Sequence, residues 1–142
     1  TPCEHSFPTR RSSDLTEIGY LWNANASASQ TSLLAQQSEL LALQDSALDS
    51  TGEILIRDLL LSQIARYLSD FALARTLLES ILAQKAGEET WTGSYALFEL
   101  AVLECVEGDR DGDNTDWEKR LDRADKYVDR LFARPTYDMR NR

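Results

Sequence analysis

From Thr16 onward, apolar residues recur every three or four positions and almost never alternate, a spacing that predicts helices rather than strands. Glu17 to Trp22 (EIGYLW) reads as part of a first helix, and the small, polar stretch Asn23 to Gln30 as a connection. Thr31 can cap a helix carrying Leu33, Leu34, Leu40, Leu41, Ala47 and Leu48. Asp49-Ser50-Thr51-Gly52 reads as a stop. The next helix is expected from about Glu53 to Leu68, with Ile54, Leu55, Leu61, Ile64, Ala65 and Leu68 as its apolar set. Ser69-Asp70 makes a tight turn into a partner helix, Phe71 to about Gln84, carrying Ala74, Leu77, Leu78, Ile81 and Leu82. Ala86-Gly87 breaks that helix. Another is expected from Trp91 to Glu107, ended by Gly108. After a polar insertion (DRDGDNTD), a long helix runs from Asp116 to Ala133; Pro135 stops it, and Asp138 can open one more.

Six helices with short links imply three antiparallel pairs, and with them internal repetition. A tetratricopeptide unit sets a large and a small residue side by side in its first helix. Its second helix opens on an aromatic, with a small residue three positions later and an apolar one four beyond that. Leu61-Ser62, Phe71, Ala74 and Leu78 meet this spacing without a gap. Leu100-Ala101 and Gly108, then Leu121, Ala124, Val128 and Leu131, meet it once an insertion after Gly108 is allowed. Small residues let two helices approach, and large ones fill the space between them. The predicted fold is therefore all-α, a tetratricopeptide-like α-solenoid fragment of about three helix pairs. First helices of such repeats line a concave groove, which places Gln63, Arg66, Tyr95, Phe98 and Val102 on it.

The first fifteen residues stand apart from this pattern. His5 to Leu15 (HSFPTRRSSDL) reads as the in-frame translation of a common short-read sequencing adapter, the alternative being a natural Ser/Arg-rich tail. Residues 1–15 are accordingly read as a non-native or disordered segment, and residues 16–142 as a C-terminal helical repeat domain whose upstream repeats lie elsewhere in its full-length chain. Setting the segment aside removes the single histidine, His5, and one of two cysteines, Cys3. It leaves thirteen basic and twenty-two acidic residues, so the net charge stays at -9.

That charge changes the picture of partners. A chain at -9 repels phosphate backbones and anionic lipid, which argues against nucleic-acid and membrane-surface binding. With 42% hydrophobic and 27% charged residues, the composition is that of a folded domain, and no apolar run reaches the ~20 residues of a membrane span. No cofactor is expected. Asp109, Asp111 and Asp113 begin like a calcium loop, but Asn114 stands where glycine is needed and Arg120 where the closing glutamate is needed. A solvated acidic turn is the expectation. Cys105, without a histidine to activate it, is expected to be a small buried hydrophobe rather than a nucleophile. Trp22, Trp91 and Trp117 are expected to pack between helices, the alternative being that they anchor a partner. Arg120, Arg123, Arg130, Arg134, Arg140 and Arg142, interleaved with Asp122, Asp125 and Asp129, suggest an ion-paired helix surface.

Three segments carry a family resemblance: EIGYLWNANA (Glu17 to Ala26), ILIRDLLLSQIARYLSDFALARTLLESIL (Ile54 to Leu82), and SYALFELAVLECVEGD (Ser94 to Asp109) with the later RLDRADKYVDRLFARPTYDMRNR. In order and spacing they resemble the C-terminal end of the inclusion body clearance protein / tetratricopeptide repeat protein 39 family. The acidic insertion Asp109 to Asp116 departs from that family, as does the missing upstream part. The resemblance implies a non-enzymatic scaffold that holds a protein partner in its helical groove. It also implies a cytoplasmic or organelle-peripheral location, with fungal members clearing protein inclusions in connection with lipid droplets and some members at the mitochondrial outer membrane or nucleus. The alternative is a helical accessory domain of an enzyme whose catalytic part lies upstream.

Overall fold

The computed structural model of the chain describes residues 20, 23–43, 51–84, 91–111 and 116–134. All regular structure among them is helical. The expectations for residues 1–15, Ala47, Leu48, Ala86-Gly87, Pro135 and Asp138 lie outside the described residues, and of Glu17 to Trp22 only Tyr20, which is helical, is described.

The stretch expected as a plain connection contains a 3-10 turn, Ala24–Ser27, entered through Asn23 in the left-handed region (φ 55°), which asparagine tolerates. Helix α1 (Gln30–Ala42) is capped not by Thr31 but by Ser29, which stays extended and accepts a bond from the Ser32 amide at 3.2 Å. Helix α2 (Thr51–Tyr67) starts at Thr51, so Thr51 and Gly52, read as part of a stop, belong to the helix. Helix α3 (Phe71–Ala83) is capped by Asp70, whose carboxylate accepts from the Leu73 amide at 3.2 Å. Helix α4 (Trp91–Asp111) runs through Gly108 rather than ending there, and takes in Asp109 and Arg110 of the supposed insertion. Helix α5 is Trp117–Ala133.

The turn between α2 and α3 is tight and specific. Ser69 is left-handed (φ 62°), its amide bonds to the Arg66 carbonyl at 3.0 Å, and the Asp70 amide reaches back to the Ala65 carbonyl at 2.8 Å. This crossed pair is the Schellman ending of a helix, with serine in the place glycine usually takes.

Each helix packs on its chain neighbour, and α2 also meets α4. Paired side chains give the directions. Arg75 near the start of α3 reaches Glu104 near the end of α4, and Trp117 at the start of α5 lies against Gly108. Both pairs of helices are thus antiparallel.

The core is built mainly by α2, α3 and α4. Leu55, Leu59 and Ile64 from α2, Leu78 and Ile81 from α3, and Leu97, Leu100 and Leu103 from α4 are almost wholly withdrawn from water. Each such side chain contributes about 1.5–3 kcal/mol. Helix α2 is buried from Asp58 to Ala65 without a break, whereas α3 buries the stripe Phe71, Ala74, Leu78 and Ile81. At the ends of the array this changes. Leu34 and Leu41, expected as apolar positions of α1, are 47% and 59% exposed, and α5 buries only Ala124 while Leu121 and Phe132 face outward.

Gly108 sets the spacing of α4 and α5. A Cβ built on it would lie 2.5 Å from Trp117 Cζ3 and 2.8 Å from Arg120 Cδ. Glycine in a helix interior costs about 1 kcal/mol, and here it makes room for the indole.

Candidate functional site

Residues three and four apart on a helix share a face. Gln63 and Arg66 of α2 therefore stand together, as do Tyr95, Phe98 and Val102 of α4. Because α2 and α4 touch, the two sets meet: all five line one cleft of about 370 Å³. They do not play equal parts. Tyr95 is 37% exposed and Phe98 50%, so these two aromatics form the open lip, with Val102 half-buried beside them. Gln63 is 3% exposed and lies on the floor, where its Oε1 accepts a bond from Asn25 Nδ2 at 3.1 Å.

Arg66 is bonded through one nitrogen. Its Nε donates to Glu99 Oε2 at 3.2 Å, and its guanidinium carbon sits 4.5 Å above the Tyr67 ring. The other oxygen of Glu99 accepts from the Tyr20 hydroxyl at 3.1 Å. Burial pushes the Tyr20 phenol far above its ordinary range, and the neighbouring Glu99 charge pushes the same way. Tyr20 packs edge-on against Tyr95 (centroids 5.7 Å apart), which packs edge-on against Trp91 (5.4 Å). The Tyr67 hydroxyl donates to Asn23 Oδ1.

Four lining residues escaped the sequence reading: Tyr20, Asn23, Tyr67 and Glu99. Glu99 had a signal, a carboxylate three residues after Ala96 and four before Leu103 on a core-facing stripe. Tyr20 and Asn23 had none, because only the tertiary fold lays their segment against α2 and α4. Within the cleft Glu99 accepts from both Arg66 and Tyr20, Gln63 accepts from Asn25, and Tyr95 and Phe98 present aromatic carbon at the open lip.

The remaining candidates fall elsewhere. Cys105 is exposed, not buried, because α4 turns it away from the stripe that packs on α2 and α3. Trp91 and Trp117 are half-buried, and Trp22 lies outside the described residues. Asp109 and Asp111 are helical, which removes the loop backbone that a calcium site needs; Asp113 and Asn114 lie outside the described residues. Among the described residues no group of three or more His, Cys, Asp or Glu could hold a metal ion, and no helix is long and apolar enough to cross a membrane.

The expected ion-paired surface of α5 takes a different form. Lys126 does pair with Asp122 one turn away at 3.0 Å, but Arg120 and Arg123 reach across to α4. Arg140 and Arg142 lie outside the described residues. The centre of the cross-helix cluster is Glu104, only 1% exposed, with Arg75 at 2.9 Å, Arg123 at 3.1 Å and Arg120 at 3.6 Å. Glu107 shares Arg75 and Arg120. Burial alone would raise the Glu104 acid; hydrogen bonds from Arg123 and Arg75, with their charges, outweigh it and hold the carboxyl below the usual carboxylate range. Comparison with known protein families, with curated proteins and with solved structures returns no match.

Proposed function

We propose that the chain is a tetratricopeptide-type interaction scaffold of the inclusion body clearance protein / tetratricopeptide repeat protein 39 kind, and that it holds a protein partner in the cleft between α2 and α4. The observation that carries this reading is the open aromatic lip: Tyr95 and Phe98 remain exposed on α4, beside the bonded Tyr20–Glu99–Arg66 chain. Large apolar groups left in water next to a concavity are what binding sites present. The packing order supports the repeat assignment, since each helix meets the next and α2 meets α4, as stacked helical pairs require. The clearance role, its link to lipid droplets and the cytoplasmic or organelle-peripheral location rest on the sequence resemblance alone.

The test places a photo-crosslinking amino acid at Phe98 and, separately, at the exposed Asp125 of α5 in the full chain. The scaffold reading expects a discrete protein adduct from position 98 that position 125 does not give. Identical adduct patterns from both positions would refute it. The rival reading, a helical accessory domain of an enzyme, expects the adduct from position 98 to be a catalytic segment of the same polypeptide.

A further inference from the structure

We infer that one edge of α5 is a second docking surface, and that it takes an amphipathic helix whose apolar stripe is bordered by lysine or arginine. The surface is separate from the cleft, so the inference does not rest on the scaffold reading.

The apolar part is a line along the helix. Ala124 is buried, Arg120 reaches Glu104 of α4, and Tyr127 packs on the core, which fixes the inward side of α5. Beside that inward side run Leu121, Val128 and Phe132, at spacings of seven and four residues. Leu121 is 41% exposed, Val128 half-buried and Phe132 82% exposed. At about 1.5 Å per residue the line is about 16 Å long, roughly three turns. A narrow seam of this spacing is matched by a second helix that repeats the spacing and sets its side chains between those of α5.

The charge says which helix. Asp125 lies on the seam itself, four residues after Leu121 and three before Val128. Glu118, Asp122 and Asp129 border it, each three or four residues from a seam position. Lys126 pairs with Asp122 at 3.0 Å. Glu118, Asp125 and Asp129 are exposed and have no ion pair among the described residues. The basic residues of α5 stand elsewhere. At about 100° of turn per residue, Lys119, Arg123, Lys126 and Arg130 fall on the side opposite Leu121, and Arg123 is bonded to Glu104. The apolar line is thus set among carboxylates that lie on the same surface. A partner with lysine or arginine beside its apolar stripe complements both, whereas anionic lipid, nucleic acid and acidic helices are repelled. A second copy docked seam to seam would set these carboxylates against one another.

The experiment uses the full chain and a fluorophore-labelled, acetylated and amidated peptide, Lys-Leu-Ala-Ala-Lys-Leu-Ala-Lys-Leu-Ala-Ala-Lys-Leu-Ala-Lys, read by anisotropy. We expect a Kd on the order of 100 µM that weakens with added salt. Replacing every Leu of the probe with Ala, or every Lys with Glu, is expected to weaken binding about tenfold or more. Phe132→Ala is expected to weaken it about fivefold, and Asp125→Lys to weaken it further while improving binding of the Glu probe. Both positions face water, so neither change is expected to alter the helical spectrum. Phe98→Ala is expected to leave binding unchanged, which separates this surface from the cleft. Adducts captured by a crosslinker at position 125 belong to this surface and differ from those captured at position 98. No binding of the basic probe, equal binding of the Glu probe, indifference to Phe132→Ala, or loss with Phe98→Ala would each overturn the inference. A dimer that tightens with salt, dissolves with Phe132→Ala and is not displaced by the probe would assign the seam to a second copy and overturn it as well.

Discussion

Glu104→Gln tests the charge cluster that joins α3, α4 and α5. The substitution keeps the volume of a side chain that is 1% exposed and removes its charge from among Arg75, Arg120 and Arg123, while Glu107 still pairs with Arg75 and Arg120. Removing one member of a fully buried ion pair costs about 3–5 kcal/mol. Here Arg75 and Arg123 keep 28% and 47% of their side chains in water, so solvent relieves part of the loss and about 2 kcal/mol is expected. For a chain of this length that lowers Tm by roughly 6 °C. The assay is urea unfolding followed by the helical circular dichroism signal at about pH 7 and again at about pH 3. The sign follows from the direction of the shift. A carboxyl held below its unfolded value adds stability that is present above about pH 4.3 and lost as pH falls through its folded value. The gap between parent and variant should therefore be full at neutral pH and shrink in acid, where the parent carboxyl takes up its proton. A gap of the same size at both pH values, or no gap at all, refutes the electrostatic account.

Three further outcomes follow from the same structure. Gly108→Ala gains up to about 1 kcal/mol of helix propensity but drives a methyl into Trp117; with overpacking costing about 1–3 kcal/mol, a net loss of about 1 kcal/mol is expected in thermal melts, and a more stable variant would show that the indole yields freely. Because the folded chain keeps the Tyr20 proton well beyond the ordinary value of 10.0, stability should be intact below about pH 10 and fall as pH rises above it; Tyr20→Phe should flatten that decline, and an equal decline in both proteins would argue against the contribution. Phe132 is 82% exposed on a helix whose apolar face is little covered, so the chain is expected to self-associate with concentration in sedimentation experiments and Phe132→Glu to reduce it; a monomer at all concentrations would count against this.

Helical class and the α2–α3 hairpin were legible because Leu55, Ile64, Ala74, Leu78 and Ile81 fall at helical spacing and all prove buried. The joint face of Gln63, Arg66, Tyr95, Phe98 and Val102 was legible for the same reason: spacing along a helix determines which side chains share a side. Boundaries were less so. Gly108 looks like a terminator by local rules, yet the indole of Trp117, distant in the chain's own logic, makes glycine the residue that fits inside the helix. Cys105 shows the reverse error, since residue type suggested burial while its helical position turned it outward. The pairing of Arg120 and Arg123 with Glu104 could not be read from neighbours on α5, because cross-helix partners depend on how α5 lies on α4.

The two-residue turn at Ser69 and Asp70 bears on how this sequence can change over generations. An α-helix rotates about 100° and advances about 1.5 Å per residue. One residue gained or lost between Ala65 and Phe71 would break the crossed bonds of the turn and rotate α3 by that angle. Arg75 would swing away from Glu104 and Glu107, and Phe71 from the Arg110 guanidinium that lies 4.8 Å from its ring. Substitution at either turn position changes one contact, whereas a change of length misaligns a whole helix. Divergent copies of this chain should accordingly keep the residue count here, and insertions should accumulate elsewhere.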